Sequence, residues 1–85
     1  MRSLLFALFL ALAVGIPSTA FALDQFPTET AAQKHCPHDV VVWLNTRTGI
    51  WHYKGAKYYA NTLNGAFVCE KEAKKEGMRA SKNGS

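Results

Sequence analysis

The sequence predicts a small α+β domain, a four-stranded antiparallel β-meander carrying one short C-terminal helix and closed by one disulfide. Three observations predict it. Short runs of β-branched and aromatic residues alternate with turns bearing Gly and Asn; a charged segment of helical chemistry ending at Gly77 follows them; and the two cysteines, Cys36 and Cys69, bracket the strands. With 85 residues, 10 Lys plus Arg against 6 Asp plus Glu and 48% apolar residues, the chain has room for one small domain. A multidomain enzyme is excluded.

The first 22 residues read as an export signal. Arg2 supplies a positive start, Leu4 to Val14 form an unbroken apolar run, Gly15 and Pro17 end it, and Ala20-Phe21-Ala22 places small residues where a signal peptidase needs them, with cleavage after Ala22. As a helix the run rises roughly 16 Å, about half of a hydrocarbon core, which disfavours a membrane anchor. Cys36 is preceded by Gln33-Lys34-His35, unlike a lipoprotein cysteine. A periplasmic or secreted product without a membrane span is expected. Cleavage removes Arg2 and leaves a mildly basic chain, a balance that suits anionic partners but also simple solubility.

In an oxidising compartment Cys36 and Cys69 should pair. A domain this small buries little surface, so a staple has a clear physical role, and a loop of this length contributes about 3.7 kcal/mol by chain entropy. The rival is zinc, for which His35, Cys36, His38, His52 and Cys69 offer N and S donors. Neither C-x-x-C nor H-x-x-x-H spacing is present, so no metal and no cofactor is expected.

Residues 23–35 read as an N-terminal arm in which Pro27 and Thr28-Glu29-Thr30 could start one helical turn. The folded domain is expected over 36–79. Val40-Val41-Val42-Trp43-Leu44 is the strongest strand and, being apolar on both faces, a central one. Asn45-Thr46-Arg47-Thr48-Gly49 turns the chain into a second strand, Ile50 to Tyr53, with Trp51 and Tyr53 on one face and Ile50 and His52 on the other. Lys54-Gly55-Ala56 is a second turn, Lys57 to Thr62 a third strand, and Asn64-Gly65 a hairpin turn whose residues tolerate positive φ. Ala66 to Cys69 completes the meander. Glu70 to Glu76 opens with acids and closes with Lys74 and Lys75, and Gly77 stands at a left-handed C-cap with Met78 folding back on Ala73. Residues 80–85 read as a disordered polar tail.

Cys36-Pro37, Asp39, Val41 to Thr46, Gly49 to Tyr53, Gly55, Tyr58-Tyr59, Thr62, Gly65, Val68-Cys69-Glu70, Ala73 and Gly77-Met78-Arg79 resemble a group of small exported bacterial proteins of uncharacterised function. Their pattern is CPxDxVVWVNTxSGxYHxxGxxxYGxTxxGxYxCExxAxxxGxR. The likeness spans residues 36 to 79. The sequence departs from it at Ala60, where Gly is usual, and at Trp51 and Phe67, where Tyr is usual. The resemblance implies a Cys36 to Cys69 pairing and no catalytic residue. A looser likeness links the second half to modules beside secreted nucleases and to metal-binding DNA-repair domains; those metal sites use cysteines where this chain has Lys57 or Arg79, so zinc is not implied.

His52, between Trp51 and Tyr53, is the most notable polar residue, with Asp39 a candidate to orient it. A general base needs a nucleophile, and no Ser of the folded region or free thiol supplies one. A structural His52 and a non-enzymatic protein are therefore expected. The aromatic load is heavy for so small a sheet. Trp51, His52, Tyr53, Tyr58 and Tyr59 beside Arg47, Lys54 and Lys57 form the candidate binding surface, an exposed strip able to anchor an envelope protein or an anionic ligand. Nucleic acid stacked on that strip is a less favoured alternative, and a metal-binding or catalytic role centred on His52 another.

Overall fold

A computed structural model describes residues 23–84; the expected leader, 1–22, lies outside them. The elements in order are α1 (Glu29–His35), β1 (Val41–Asn45), β2 (Ile50–His52), β3 (Gly65–Cys69), α2 (Glu70–Lys75), β4 (Arg79–Ala80) and a 3-10 turn at Lys82–Gly84. The sheet order is β3-β1-β2-β4, with β1 central as its two apolar faces require. β1 runs antiparallel to both β2 and β3, and β4 runs parallel to β2. Small α+β architecture and a Cys36 to Cys69 disulfide are thus present, but the sheet is mixed and is not a meander.

The expected strand at Lys57 to Thr62 does not exist. Residues 53–64 instead form consecutive turns, closed by Ala56 N–H to Tyr53 O, Tyr59 N–H to Ala56 O and Asn61 N–H to Tyr58 O. The reason is topological: β2 and β3 flank β1 on opposite sides, so the chain between them crosses over one face of the sheet. In that crossing the Tyr58 ring, still exposed, stands edge-on to His52, and the half-buried Tyr59 ring stands edge-on to Phe67. The sheet's remaining edge is made by β4, which follows α2 and pairs Ile50 with Arg79 and Trp51 with Ala80. Ser81 N–H adds a bond to Trp51 O, so the start of the expected tail is held.

The arm is structured too. Thr28, extended at φ −135°, accepts from Ala31 N–H at 3.1 Å and caps α1, while Ala32 is fully buried. Phe26 bridges Phe67 on the outer edge of β3 and so covers an edge that would otherwise be open. The register places Val42, Leu44, Val68 and Trp51 on one face, where they pack with Ala73 of α2, Leu23, Met78 and Ala80. Trp43, His52 and Phe67 lie on the opposite face, under the crossing loop.

α2 ends as its sequence predicts. Gly77 has φ +89°, Met78 N–H bonds Ala73 O and Gly77 N–H bonds Lys74 O, a Schellman cap that needs a residue without Cβ. Its N-terminus is capped from a distance, because Asp39 accepts from Lys71 N–H at 2.9 Å and from its neighbour Val40 N–H. Asn64-Gly65 differs from expectation, since neither residue has positive φ. Gly65 is instead the first residue of β3, required for its lack of side-chain volume.

Ala60 does hold a left-handed conformation, φ +53°, at an exposed position. Such a conformation strains an L-residue by about 1–2 kcal/mol, partly offset by the larger unfolded-state entropy of Gly. Ala60→Gly is therefore expected to stabilise the domain by roughly 0.5–1 kcal/mol, read as a higher urea midpoint at unchanged slope. A lower midpoint refutes the strain.

Candidate functional site

Two depressions flank β2. On the α2 side an open groove of about 490 Å³ is lined by Trp51, Tyr53, Glu70, Lys71, Lys74, Met78, Arg79 and Ala80. α2 and β4 are joined by only the Gly77 turn, and the groove between them is lined by Lys71 and Lys74 of the helix, by Arg79, and by the apolar Trp51, Met78 and Ala80. On the loop side a shallower depression of about 310 Å³ is lined by Asn45, Thr48, Ile50, His52, Tyr58, Thr62 and Ser81.

Within the groove Tyr53 donates its hydroxyl to Glu70. The hydrogen bond to the Glu70 carboxylate raises the Tyr53 pKa, a hydrogen bond from the Trp51 indole opposing it, so the phenol stays protonated. Trp51 itself is 4% exposed.

The candidate binding residues do not form one strip. Trp51 and His52 are buried, at 4% and 8% exposure, because they are the inward residues of β2 on its two faces. Tyr53 lies with Trp51 at the groove, whereas Tyr58 packs its ring against His52 at 5.7 Å on the opposite face. Tyr59 is half-buried, edge-on to Phe67 at 5.7 Å. Arg47, Lys54 and Lys57 are exposed. Lys57 sits over the Tyr58 ring at 5.3 Å, and Lys54 pairs with Glu29 of α1 at 3.0 Å. The cations that line the groove, Lys71, Lys74 and Arg79, are absent from the binding surface expected from the sequence, the two lysines because a short charged helix ordinarily presents a solvated face.

Glu29 joins the crossing loop to α1: it receives Lys54 and, at 3.2 Å, the hydroxyl of Tyr59. Lys54 lowers the Glu29 pKa. Burial, reinforced by the Glu29 charge, pushes the Tyr59 phenol up to about 12. The fold therefore favours the neutral phenol; its stabilisation is complete below about pH 10, the unfolded value, and is lost as pH rises through about 12. The ultraviolet phenolate titration of the parent minus that of Tyr59→Phe is expected to have its midpoint near 12. A midpoint near 10 rules out the burial.

Of the five N and S donors considered for zinc, His35, Cys36 and Cys69 come together and His38 and His52 do not join them. Among the described residues the ligand atoms of His35, Cys69 and Glu72 lie within 4.8 Å of one another, as do those of Cys36, Asp39 and Cys69; His38 and His52 belong to neither group. Both cysteines are joined in the disulfide, with Cα atoms 6.4 Å apart. No helix among the described residues is long and apolar enough to cross a membrane. The chain matches no protein-family model, no curated protein and no solved structure.

Proposed function

We propose that the mature chain is an exported, non-enzymatic binding or envelope-associated accessory protein that holds an anionic partner in the groove between α2 and β4. The observation that carries this reading is that Lys71, Lys74 and Arg79 line one groove together with Trp51, Met78 and Ala80. Cations over apolar surface bind an anion and shield it from water at once. The one carboxylate of the groove, Glu70, is already engaged by Tyr53. That pair also argues for binding over catalysis, because a nucleophile needs its pKa lowered and Glu70 raises that of Tyr53. Export is supported by the leader pattern and agrees with a disulfide in the folded domain.

The test is salt elution of the exported protein from a heparin resin, chosen as a generic polyanion. Lys71→Ala/Lys74→Ala/Arg79→Ala is expected to elute at clearly lower salt than Lys34→Ala/Arg47→Ala/Lys57→Ala, which removes the same formal charge elsewhere. Equal elution of the two variants means that net charge alone acts. That result, or no retention of the parent at low ionic strength, overturns the reading.

A further inference from the structure

Where the end of α1 meets the β3–α2 junction, two short sequence pairs come together. His35 closes α1 and Cys36 follows it; Cys69 closes β3 and Glu72 lies three residues on, in the first turn of α2. His35 Nε2 is 2.8 Å from a Glu72 carboxylate oxygen and 3.4 Å from Asp24. The Phe26 ring lies 5.1 Å from the imidazole and restricts its orientation. The donor atoms of His35, Glu72 and Cys69 are mutually within 4.8 Å, and Cys36 Sγ is bonded to Cys69 Sγ.

We propose that reduction of the Cys36 to Cys69 bridge turns this cluster into a zinc site with Cys36, Cys69, His35 and Glu72 as its ligands. Tetrahedral zinc with bonds of about 2.0–2.3 Å holds its donor atoms some 3–4 Å apart, close to the spacing of His35, Glu72 and Cys69, and Cys36 joins them by turning its side chain once the sulfurs part. Asp39 also lies near both sulfurs, but its two oxygens are held by the Val40 and Lys71 N–H groups. Glu72 is therefore the oxygen ligand. The chemistry balances: a dithiol reductant gives two electrons and two protons, the S–S bond breaks to two thiols, and the reductant leaves as a disulfide. Zinc then displaces both thiol protons to solvent and takes His35 as neutral imidazole through Nε2. The oxidised and zinc-loaded forms are alternatives, since a sulfur in the bridge is no thiolate ligand. In either form the Cys36 segment stays tied to the β3–α2 junction, covalently or by coordination. The inference is independent of the groove.

The exported protein, reduced under nitrogen and titrated with Co²⁺ alone, is expected to take up one equivalent. Thiolate-to-cobalt charge-transfer absorption and the visible bands of four-coordinate cobalt should appear, and Zn²⁺ should bleach them. Should the reduced chain lose its far-ultraviolet dichroism, one equivalent is expected to restore it; uptake without restoration overturns the proposal. His35→Ala and Glu72→Gln, each compared with the parent in far-ultraviolet dichroism before reduction to verify the fold, are each expected to weaken cobalt binding at least tenfold. Absence of the absorption in the reduced parent overturns the site, as does parent-like affinity in both variants or the same spectrum from the oxidised protein.

Discussion

Replacing Cys36 and Cys69 together by alanine is expected to lower stability by about 3–4 kcal/mol, or roughly 15–30 °C in Tm. The two residues are 33 positions apart, and their bond closes a loop holding β1, β2, the crossing segment and β3. Opening it returns to the unfolded chain the freedom that closure removed. The loss also falls on the folded side, because Cys69 is fully buried and α1 is tied to β3 through Cys36. A domain of this size has roughly 3–9 kcal/mol in total, so the variant sits near its folding limit at ambient temperature. Denaturant unfolding of the oxidised parent and the double variant measures the difference. A difference below about 1 kcal/mol means that the bridge constrains little the packing has not already fixed.

Gly65→Ala should be nearly as damaging, at about 2–4 kcal/mol, through a different mechanism. A Cβ at Gly65 would lie 2.2 Å from Trp43 Cζ2 and 2.4 Å from Cε2, so the indole ring must move. It has little room to do so. Trp43 Nε1 donates to Thr62 Oγ1 at 2.8 Å, Thr62 in turn donates to Asn64 O, and Phe67 stands edge-on at 4.9 Å. Displacing the ring therefore breaks the link by which the crossing loop is fastened to the sheet, in addition to the steric cost. Trp43→Phe in the same background should recover part of the loss, since the smaller ring vacates the space. A double-mutant cycle of Gly65→Ala with Trp43→Phe is expected to show coupling of 1 kcal/mol or more, and additivity would rule out the clash.

Local chemistry made several elements legible. The β-branched run Val41-Val42 with Trp43 is a strand wherever it is placed, and apolarity on both faces makes it central. The charges of Glu70 to Lys75 and the Gly77 stop define α2 almost to the residue, because the signals of a Schellman cap are contiguous. Thr28 and Glu29 were readable as a helix start, but nothing nearby showed that Ala32 would be buried and the arm retained. The site was less legible than the fold. Lys71, Lys74 and Arg79 resemble any solvated lysine-rich stretch until the pairing of β4 with β2 places all three in the lining of one groove.

The sequence by itself determined a disulfide-closed α+β domain with a central apolar strand and a glycine-capped helix, since each depends on neighbours within a few positions or on the pairing of two cysteines. Only the tertiary structure decided that β3 and β2 lie on opposite sides of β1, that 53–64 crosses the sheet as turns, and that Trp51 and His52 are buried on opposite faces. Alternating aromatics satisfy a meander and a crossover equally well. The choice rests on contacts between residues distant in the chain, Gly65 beneath Trp43 and Tyr59 between Phe67 and Glu29, whose complementarity no short window of sequence contains.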